Sequence, residues 1–372
     1  MILPISLLAL LHLYIGWRIV PALPGPLAPA LFALALLVTA TLMVFALLGR
    51  GGRRKRSRAS ADRWSWVGML AFGVFGITLV LTLLRDLLLL AATVFELPSL
   101  AGWSAIAVPI LALTATLYGI FSARRTAQVR RVDVPIAGLP AALQGFTIAQ
   151  ISDIHVGPTV KGPYLQSIVD SVNALKADAV AITGDLVDGR VTDLHADVKP
   201  LTGLRSRHGT FFVTGNHEYY SGAAEWMQAL RKLGLKVLNN EHVVLDHDGA
   251  QLVMAGVADF GAHHFEESHR SDPQRAIGGA PAGAGLRVLL AHQPRSASGA
   301  SDAGFDVQLS GHTHGGQVWP FNLFVPLQQP FTAGLHRLKK LWVYVSRGTG
   351  YWGPPLRIGA PSEITQLRFV SA

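Results

Sequence analysis

The chain has 372 residues, half of them hydrophobic, no cysteine and a formal net charge of +9. That length leaves room for a large catalytic domain and a second element, and the missing cysteines exclude disulfides and thiolate metal sites. The positive charge is lopsided, with 13 basic and 4 acidic residues before Gly145 and 19 of each from Gly145 onward; the second half therefore lacks the basic surface a nucleic-acid enzyme needs, and no nucleic acid is expected as a partner.

Four apolar stretches occupy residues 1–122. Ile2 to Tyr14 continues through Arg18 to Val20. Leu27 to Leu48 is free of charge. Trp66 to Leu84 runs on through Arg85-Asp86 to Phe95, and Trp103 to Phe121 is closed by Arg124-Arg125. Each is close to the length that crosses ~30 Å of hydrocarbon at 1.5 Å per residue, so the region reads as α-helical and transmembrane with four spans. The first stretch lacks the basic start and small-residue cleavage pattern of a signal peptide, and reads as a span.

Arg50 to Arg63 holds seven Lys or Arg against Asp62 alone, and Arg124, Arg125, Arg130 and Arg131 follow the last span. By the positive-inside rule both basic stretches face the cytoplasm, which predicts a multi-pass inner-membrane protein with both termini and the second half cytoplasmic. The run Arg53-Arg54-Lys55-Arg56 then reads as a topology signal in contact with anionic membrane lipids. Arg85 and Asp86 are the ionisable pair inside a predicted span. A pair holding helices together, or sitting near an interface, is the preferred reading over an ion or substrate site.

Residues 123–144 read as a linker, with Pro135 and Pro140 opposing a continued helix. Residues 145–372 form the predicted catalytic domain. A strand over Gly145 to Ser152 is followed by a helix over Tyr164 to Lys176, whose Leu165, Ile168, Val169, Val172 and Leu175 share one face. Strands follow at Ala179 to Thr183 and Thr210 to Thr214, and a helix at Ala223 to Leu233 stops at Gly234. Short strands come next at Val237-Leu238, His242 to Leu245 and Gln251 to Val257, with Asp248-Gly249 as a hairpin turn. Arg287 to Ala291, Asp306 to Ser310, Leu341 to Ser346 and Ile364 to Val370 complete the strands. Strand–helix alternation giving way to a strand-rich half suits two sheets packed face to face with helices outside.

Five motifs follow the apolar runs of this half: Asp153-Ile154-His155, Gly184-Asp185, Gly215-Asn216-His217-Glu218, His292 and Gly311-His312-Thr313-His314. Any one of these histidines alone would read as an ordinary core or surface residue. Seven oxygen and nitrogen donors on five loops at strand ends read as a metal centre. Two divalent ions ~3.5–4 Å apart can clamp the attacking and leaving oxygens of a phosphoryl displacement, and a carboxylate must bridge them. Asp185 is the predicted bridge, with Asp153, His155 and His314 completing one shell and Asn216, His292 and His312 the other. If the chain is extended at Asp-x-His and His-x-His, residues i and i+2 face the same way. Four histidines argue against magnesium and calcium, and leave manganese, iron or zinc. A hydroxide held between the ions would be the nucleophile. His217 would protonate the leaving oxygen or stabilise charge on the phosphoryl group, with Glu218 orienting it.

This ordered set resembles the calcineurin-like metallophosphoesterase superfamily from Gly145 to the C-terminus. Ile151-Ser152-Asp153-Ile154-His155 and Gly311-His312-Thr313-His314-Gly315-Gly316-Gln317 are similar to its bacterial membrane-associated branch, as are Ser346-Arg347-Gly348-Thr349-Gly350, Pro355-Leu356-Arg357 and Pro361-Ser362-Glu363-Ile364. That branch contains phosphodiesterases and a pyrophosphatase acting on a UDP-linked diacylated glucosamine. The resemblance implies a four-layer α/β/β/α sandwich, a binuclear centre and a phosphoester substrate, lipid-linked or nucleotide-linked. A soluble phosphodiester, or a membrane scaffold or sensor that only binds metal, are the alternatives.

Two loops remain. Asp259 to Gly285, with His263, His264 and His269, reads as solvent-exposed ahead of a third metal site. Gln317 to Leu335 carries Trp319, Phe321, Leu323, Phe324, Val325 and Phe331, for which core packing and contact with a lipid tail stand level.

Overall fold

The computed structural model describes residues 2–49, 58–96, 98 and 100–372. The chain divides into two compact units, Met1–Arg124 with Gly353–Ile358, and Arg125–Trp352 with Gly359–Ala372.

The first unit is helical: α1 (Ile2–Ile19), α2 (Leu27–Gly49), α3 (Arg58–Val94) and α4 (Ala101–Arg124). All four are long and apolar enough to cross a membrane. Leu7, Leu10, Leu34 and Leu37 stand open on their surfaces, which water would disfavour and lipid would not. Most of the basic stretch expected at 50–63 lies outside the described residues; its last part begins α3.

Arg85 and Asp86 tie these helices together. Asp86 accepts hydrogen bonds from Arg18 Nε at 2.9 Å and the Tyr14 hydroxyl at 2.6 Å. Arg85 turns away to donate to the carbonyl oxygens of Arg18 and Ala101 and to Ser104 Oγ, at 3.0–3.1 Å. Three helices thereby share one charged network, and the Arg18 carbonyl in the last turn of α1 gains a donor it would otherwise lack in lipid. In the same unit, Leu356 fills the space left by Gly73 and Gly119, where a Cβ would collide with it.

The second unit is a sandwich of two six-stranded sheets. In chain order it runs β1 (Gln128–Ile136), β2 (Thr147–Ile151), α5 (Gly162–Ala174), β3 (Ala179–Thr183), α6 (Val191–Val198), β4 (Thr210–Val213), α7 (Asn216–Ser221), α8 (Ala223–Lys232), β5 (Lys236–Val237), β6 (Glu241–His247), β7 (Ala250–Gly256), α9 (Pro273–Ile277), β8 (Leu286–Leu290), α10 (Ala297–Asp302), β9 (Val307–Ser310), β10 (Gly334–Leu338), β11 (Leu341–Val345) and β12 (Glu363–Ser371). One sheet has the order β1-β12-β2-β3-β4-β5, the other β10-β11-β9-β8-β7-β6.

The layers follow from side-chain alternation. Leu252 and Met254 join Ile148, Phe211, Leu290 and Phe369 in the core between the sheets, while Val253 and Ala255 pack outward with Ala276, Ala297 and Ala300 of α9 and α10. Burial on both faces explains why the central strands read as unbroken apolar runs. Helix α5 buries Leu165, Ile168, Val169 and Val172, and α8 buries Trp226, Met227 and Leu230. Each such side chain contributes roughly 1.5–3 kcal/mol. The Asp248-Gly249 turn pairs His247 with Ala250 and holds φ of 52° and 90° at its two residues, as a two-residue hairpin requires.

Two strands, β1 and β10, differ from expectation, and β10 is an edge strand antiparallel to β11 where no strand was read. The stretch read as a linker at 123–144 contains β1, a nine-residue edge strand parallel to β12. Its Pro135 is tolerated because an edge strand has one unpaired side.

Asp86→Leu would leave the Arg18 guanidinium and Tyr14 hydroxyl without their acceptor. The detergent-solubilised protein is expected to lose stability by about 1 kcal/mol, read as a lower Tm. An unchanged Tm would mean that the network adds nothing to helix association.

Candidate metal centre

Every predicted ligand falls within five residues of a strand end. Strands β2, β3, β4, β8 and β9 stop at Ile151, Thr183, Val213, Leu290 and Ser310, and the motifs begin in the loops that follow. The backbone of the paired motifs is not extended, which corrects that part of the expectation. Asp153, His155, Asp185, His312 and His314 all hold left-handed backbone, with φ between 50° and 71°. Such residues cost of order 1–3 kcal/mol each and persist only where surrounding contacts fix them. Here the Asp153 and His155 N–H groups donate to the Gly184 and Asp185 carbonyls, and the His312 N–H donates to Asp153 Oδ1 at 2.9 Å.

These loops bring the donors together. Ligand atoms within 4.8 Å of one another form three groups: Asp153, His155 and His314; Asp185, His292 and His312; and His155, Asp185 and His217. Asp185 is common to the last two, the position a bridging carboxylate must take. His155 Nε2 lies 3.1 Å from His314 Nε2, and His292 Nε2 lies 3.2 Å from His312 Nδ1. The opposite nitrogens are already used, since His292 Nδ1 donates to the Thr183 carbonyl at 2.8 Å and His155 Nδ1 faces Asp188 Oδ1 at 3.1 Å. Each of these two rings therefore aims its Nε2 inward, as carbonyl or carboxylate partners arrange around a metal.

Two oxygens test whether metal ions fit. Asp153 Oδ2 and Asn216 Oδ1 are buried and have no hydrogen-bond partner in the protein. Buried polar atoms are otherwise almost always paired, and both belong to the predicted ligand set. The surrounding glycines leave no spare room. A Cβ on Gly215 would fall on the Asp185 carboxylate, and one on Gly311 would meet Ser152 Oγ and Asp153 Oδ2. An unsatisfied carboxylate oxygen, an unsatisfied amide oxygen and converging imidazoles suit divalent cations.

The electrostatics agree. Burial, with Asp185 nearby, pushes the Asp153 carboxyl above its usual range despite the histidines. Burial also opposes ionisation of Asp185, yet His292, His217 and His155 hold it well below that range. Burial opposes charge on His155, but Asp188, Asp185 and Asp153 outweigh it and hold the ring at about 9. His292 is raised in the same way by Asp185. His312 is lowered to about 3 by burial and by His292. The carboxylates thus draw positive charge into a dry site, which divalent ions would supply.

His217 is placed at the mouth. Its backbone N–H donates to Asp185 Oδ1 at 2.9 Å, and its Nδ1 lies 2.5 Å from Asp188 Oδ1. Asp188 therefore orients the ring, the task expected of Glu218, and His155 and His217 hold its carboxyl below the usual range despite burial. Glu218 lies instead beneath the loops, fully buried, accepting from the N–H groups of Asp185, Leu186, Val187 and Gly215 at 2.6–3.2 Å. Burial and Asp185 raise its carboxyl to about 7 against those donors. Asp188 was readable only as the second carboxylate of Gly184-Asp185-Leu186-Val187-Asp188, three residues beyond the predicted bridge. Among the described residues, no candidate metal group includes His263, His264 or His269; His269 pairs with the Tyr219 hydroxyl at 2.9 Å.

A family model described as calcineurin-like phosphoesterase matches residues 146–316. A transmembrane protein with metallophosphoesterase domain from Bos taurus is 41% identical over 275 residues, 70% of this chain and 62% of that protein. An uncharacterised metallophosphoesterase of Campylobacter jejuni is 37% identical over 260 residues, 69% of this chain and 67% of its own. Another from Aquifex aeolicus is 31% identical over 256 residues, 67% of this chain and 95% of its own. The chain spans 61% and 62% of the Danio rerio and Bos taurus relatives it matches.

Metal content separates the roles. Asp185→Ala and Gly215→Val are expected to purify with depleted metal, whereas His217→Ala should match wild type by elemental analysis. Equal content in all three would refute this division.

Proposed function

This chain belongs to the calcineurin-like phosphoesterase family, and we propose that it is a membrane-anchored phosphohydrolase working with two divalent ions, manganese, iron or zinc. The observation that carries the reading is the pair of buried, unpartnered oxygens, Asp153 Oδ2 and Asn216 Oδ1, set among four imidazoles. Asp153, His155 and His314 would hold one ion, Asn216, His292 and His312 the other, with Asp185 between them. Two such ions supply Lewis acidity toward phosphoryl oxygens and bring the pKa of water to about 7.

The chain's own residues supply the rest. With Nδ1–H given to Asp188, the His217 imidazolium keeps Nε2–H to donate to the leaving oxygen. Asp188 fixes the ring. Glu218 fixes the loop on which Asp185 and Asp188 sit. The reaction this serves is cleavage of a phosphodiester or diphosphate. Four membrane-length helices on the same chain favour a substrate resident in the bilayer, a phosphorylated or nucleotide-linked lipid. The charge asymmetry about the helices supports a cytoplasmic catalytic unit.

The full-length protein in detergent is expected to hydrolyse bis(4-nitrophenyl) phosphate, to lose activity on chelation and to regain it with manganese. His217→Ala should lower kcat about 10²–10⁴-fold, and Asp188→Asn should lower it while leaving metal content intact. Wild type inert with manganese, iron and zinc would turn the reading toward a metal-binding scaffold. Reporter fusions at Arg63 and Ala372 should both report the cytoplasm; a periplasmic signal at Ala372 would invert the topology.

A further inference from the structure

The segment from Gln317 to Leu335 contains no charged residue, and its polarity is inverted. Trp319, Phe321, Leu323, Phe324 and Leu327 are 47–80% exposed, whereas Gln329 is buried at 3%. The polar groups hold the segment down. The Gln329 amide donates to Gln293 Oε1 at 3.1 Å and accepts from the Arg295 N–H at 3.2 Å, and the Thr313 hydroxyl donates to the Thr332 carbonyl at 2.6 Å. A loop tied down through its amides, with five large apolar side chains turned outward, presents a contiguous apolar patch, and such patches mark contact with lipid or a partner.

The patch reaches the metal centre. The Gln317 side chain makes two hydrogen bonds to the Trp352 backbone, at 2.7 and 2.9 Å. Trp352 and Tyr220, both more than half exposed, stand edge-on to the His217 ring at 5.7 and 5.2 Å. Chain geometry names the occupant. Only Arg125–Ala127 separate α4 from β1. Because β1 is parallel to β12 and β12 antiparallel to β2, β1 begins at the end of its sheet where β2 delivers Asp153. The chain therefore enters this unit from a membrane-length helix at the metal-centre end.

We propose that Gln317–Leu335 is a lipid-contacting face, continuous through Trp352 with the metal centre, which lets a substrate keep its apolar part in the bilayer while its phosphoryl group reaches His217. This deepens the phosphohydrolase reading and rests on it. Aromatic and leucine side chains on short turns are what a headgroup–acyl boundary accepts.

The cysteine-free chain allows single labels. Phe324→Cys and Leu327→Cys, carrying an environment-sensitive fluorophore, are compared with Lys340→Cys at the β10–β11 hairpin, which lies at the opposite end of the sheet. Full-length protein is reconstituted in phosphatidylethanolamine–phosphatidylglycerol vesicles containing nitroxide-labelled phosphatidylcholine. Quenching is expected at 324 and 327 and not at 340. Equal quenching at all three sites, or disulfide-length crosslinking of Leu327→Cys between two chains, would overturn the proposal and, in the second case, assign the face to another copy. A diacylglycerol nitrophenyl phosphodiester in the same vesicles supplies the second readout. In the variant carrying Phe321→Ser, Leu323→Ser, Phe324→Ser and Leu327→Ser, its turnover relative to bis(4-nitrophenyl) phosphate should fall at least about tenfold. An unchanged ratio would overturn the proposal while leaving the phosphohydrolase reading standing, whereas wild type inert toward both esters would remove the two together.

Discussion

The centre of the catalytic unit is a buried carboxylate oxygen, Asp153 Oδ2, that its own protein leaves without a partner. Asp153 and Asp185 are buried among imidazoles, and Asp153 keeps one oxygen without a partner. Leaving a carboxylate so placed costs several kcal/mol unless a cation or hydrogen bonds compensate it. Left-handed backbone at five of the donor residues adds strain on top. Apolar packing between and outside the two sheets supplies the stability that holds both costs in place. The fold spends burial on an arrangement that only a bound cation completes.

The same tension decides what was legible in the chain. Apolar runs report burial, so the central strands and three of the four long helices could be placed within a few residues, and with them the strand-end loops that carry the donors; α3 begins at Arg58, well before the Trp66 start of its apolar run. Strand β1 could not, because only Val134 and Ile136 near its end bury their side chains and its register is set by β12, more than two hundred residues later. Strand β10 was hidden for the same reason, as an edge strand with intermediate burial along its length. The candidate ligands followed from chemistry, but the backbone that presents them did not. Pattern gives periodicity within a strand and is silent about a left-handed turn held by hydrogen bonds to another loop. Asp188 was missed because its partner rings arrive from two other loops, a meeting that no local spacing records.

The helical unit solves a related problem in an apolar setting. Asp86 takes both Arg18 and Tyr14, so Arg85, its neighbour in sequence, is left to donate to backbone carbonyls. A pair that reads in sequence as holding helices together is mostly two separate devices. One joins side chains across helices and the other donates to backbone carbonyls of two further helices, which is how ionisable groups are tolerated within an apolar bundle.

Glu218 shows how the catalytic loops become one object. It is the third residue of α7, and its carboxylate closes back on the Gly215 N–H in the manner of a capping box. The same carboxylate accepts from Asp185, Leu186 and Val187, on the loop after β3. One buried group thus staples the loop carrying Asp185 and Asp188 to the turn carrying Asn216 and His217. In return, the His217 N–H donates to Asp185 and its ring meets Asp188. Asp185 and His217 therefore cannot move independently, since both are referred to the same few backbone N–H groups. Preorganisation of that kind is worth more than any single contact, because the proposed phosphoryl transfer requires the candidate ligands and His217 to share one frame.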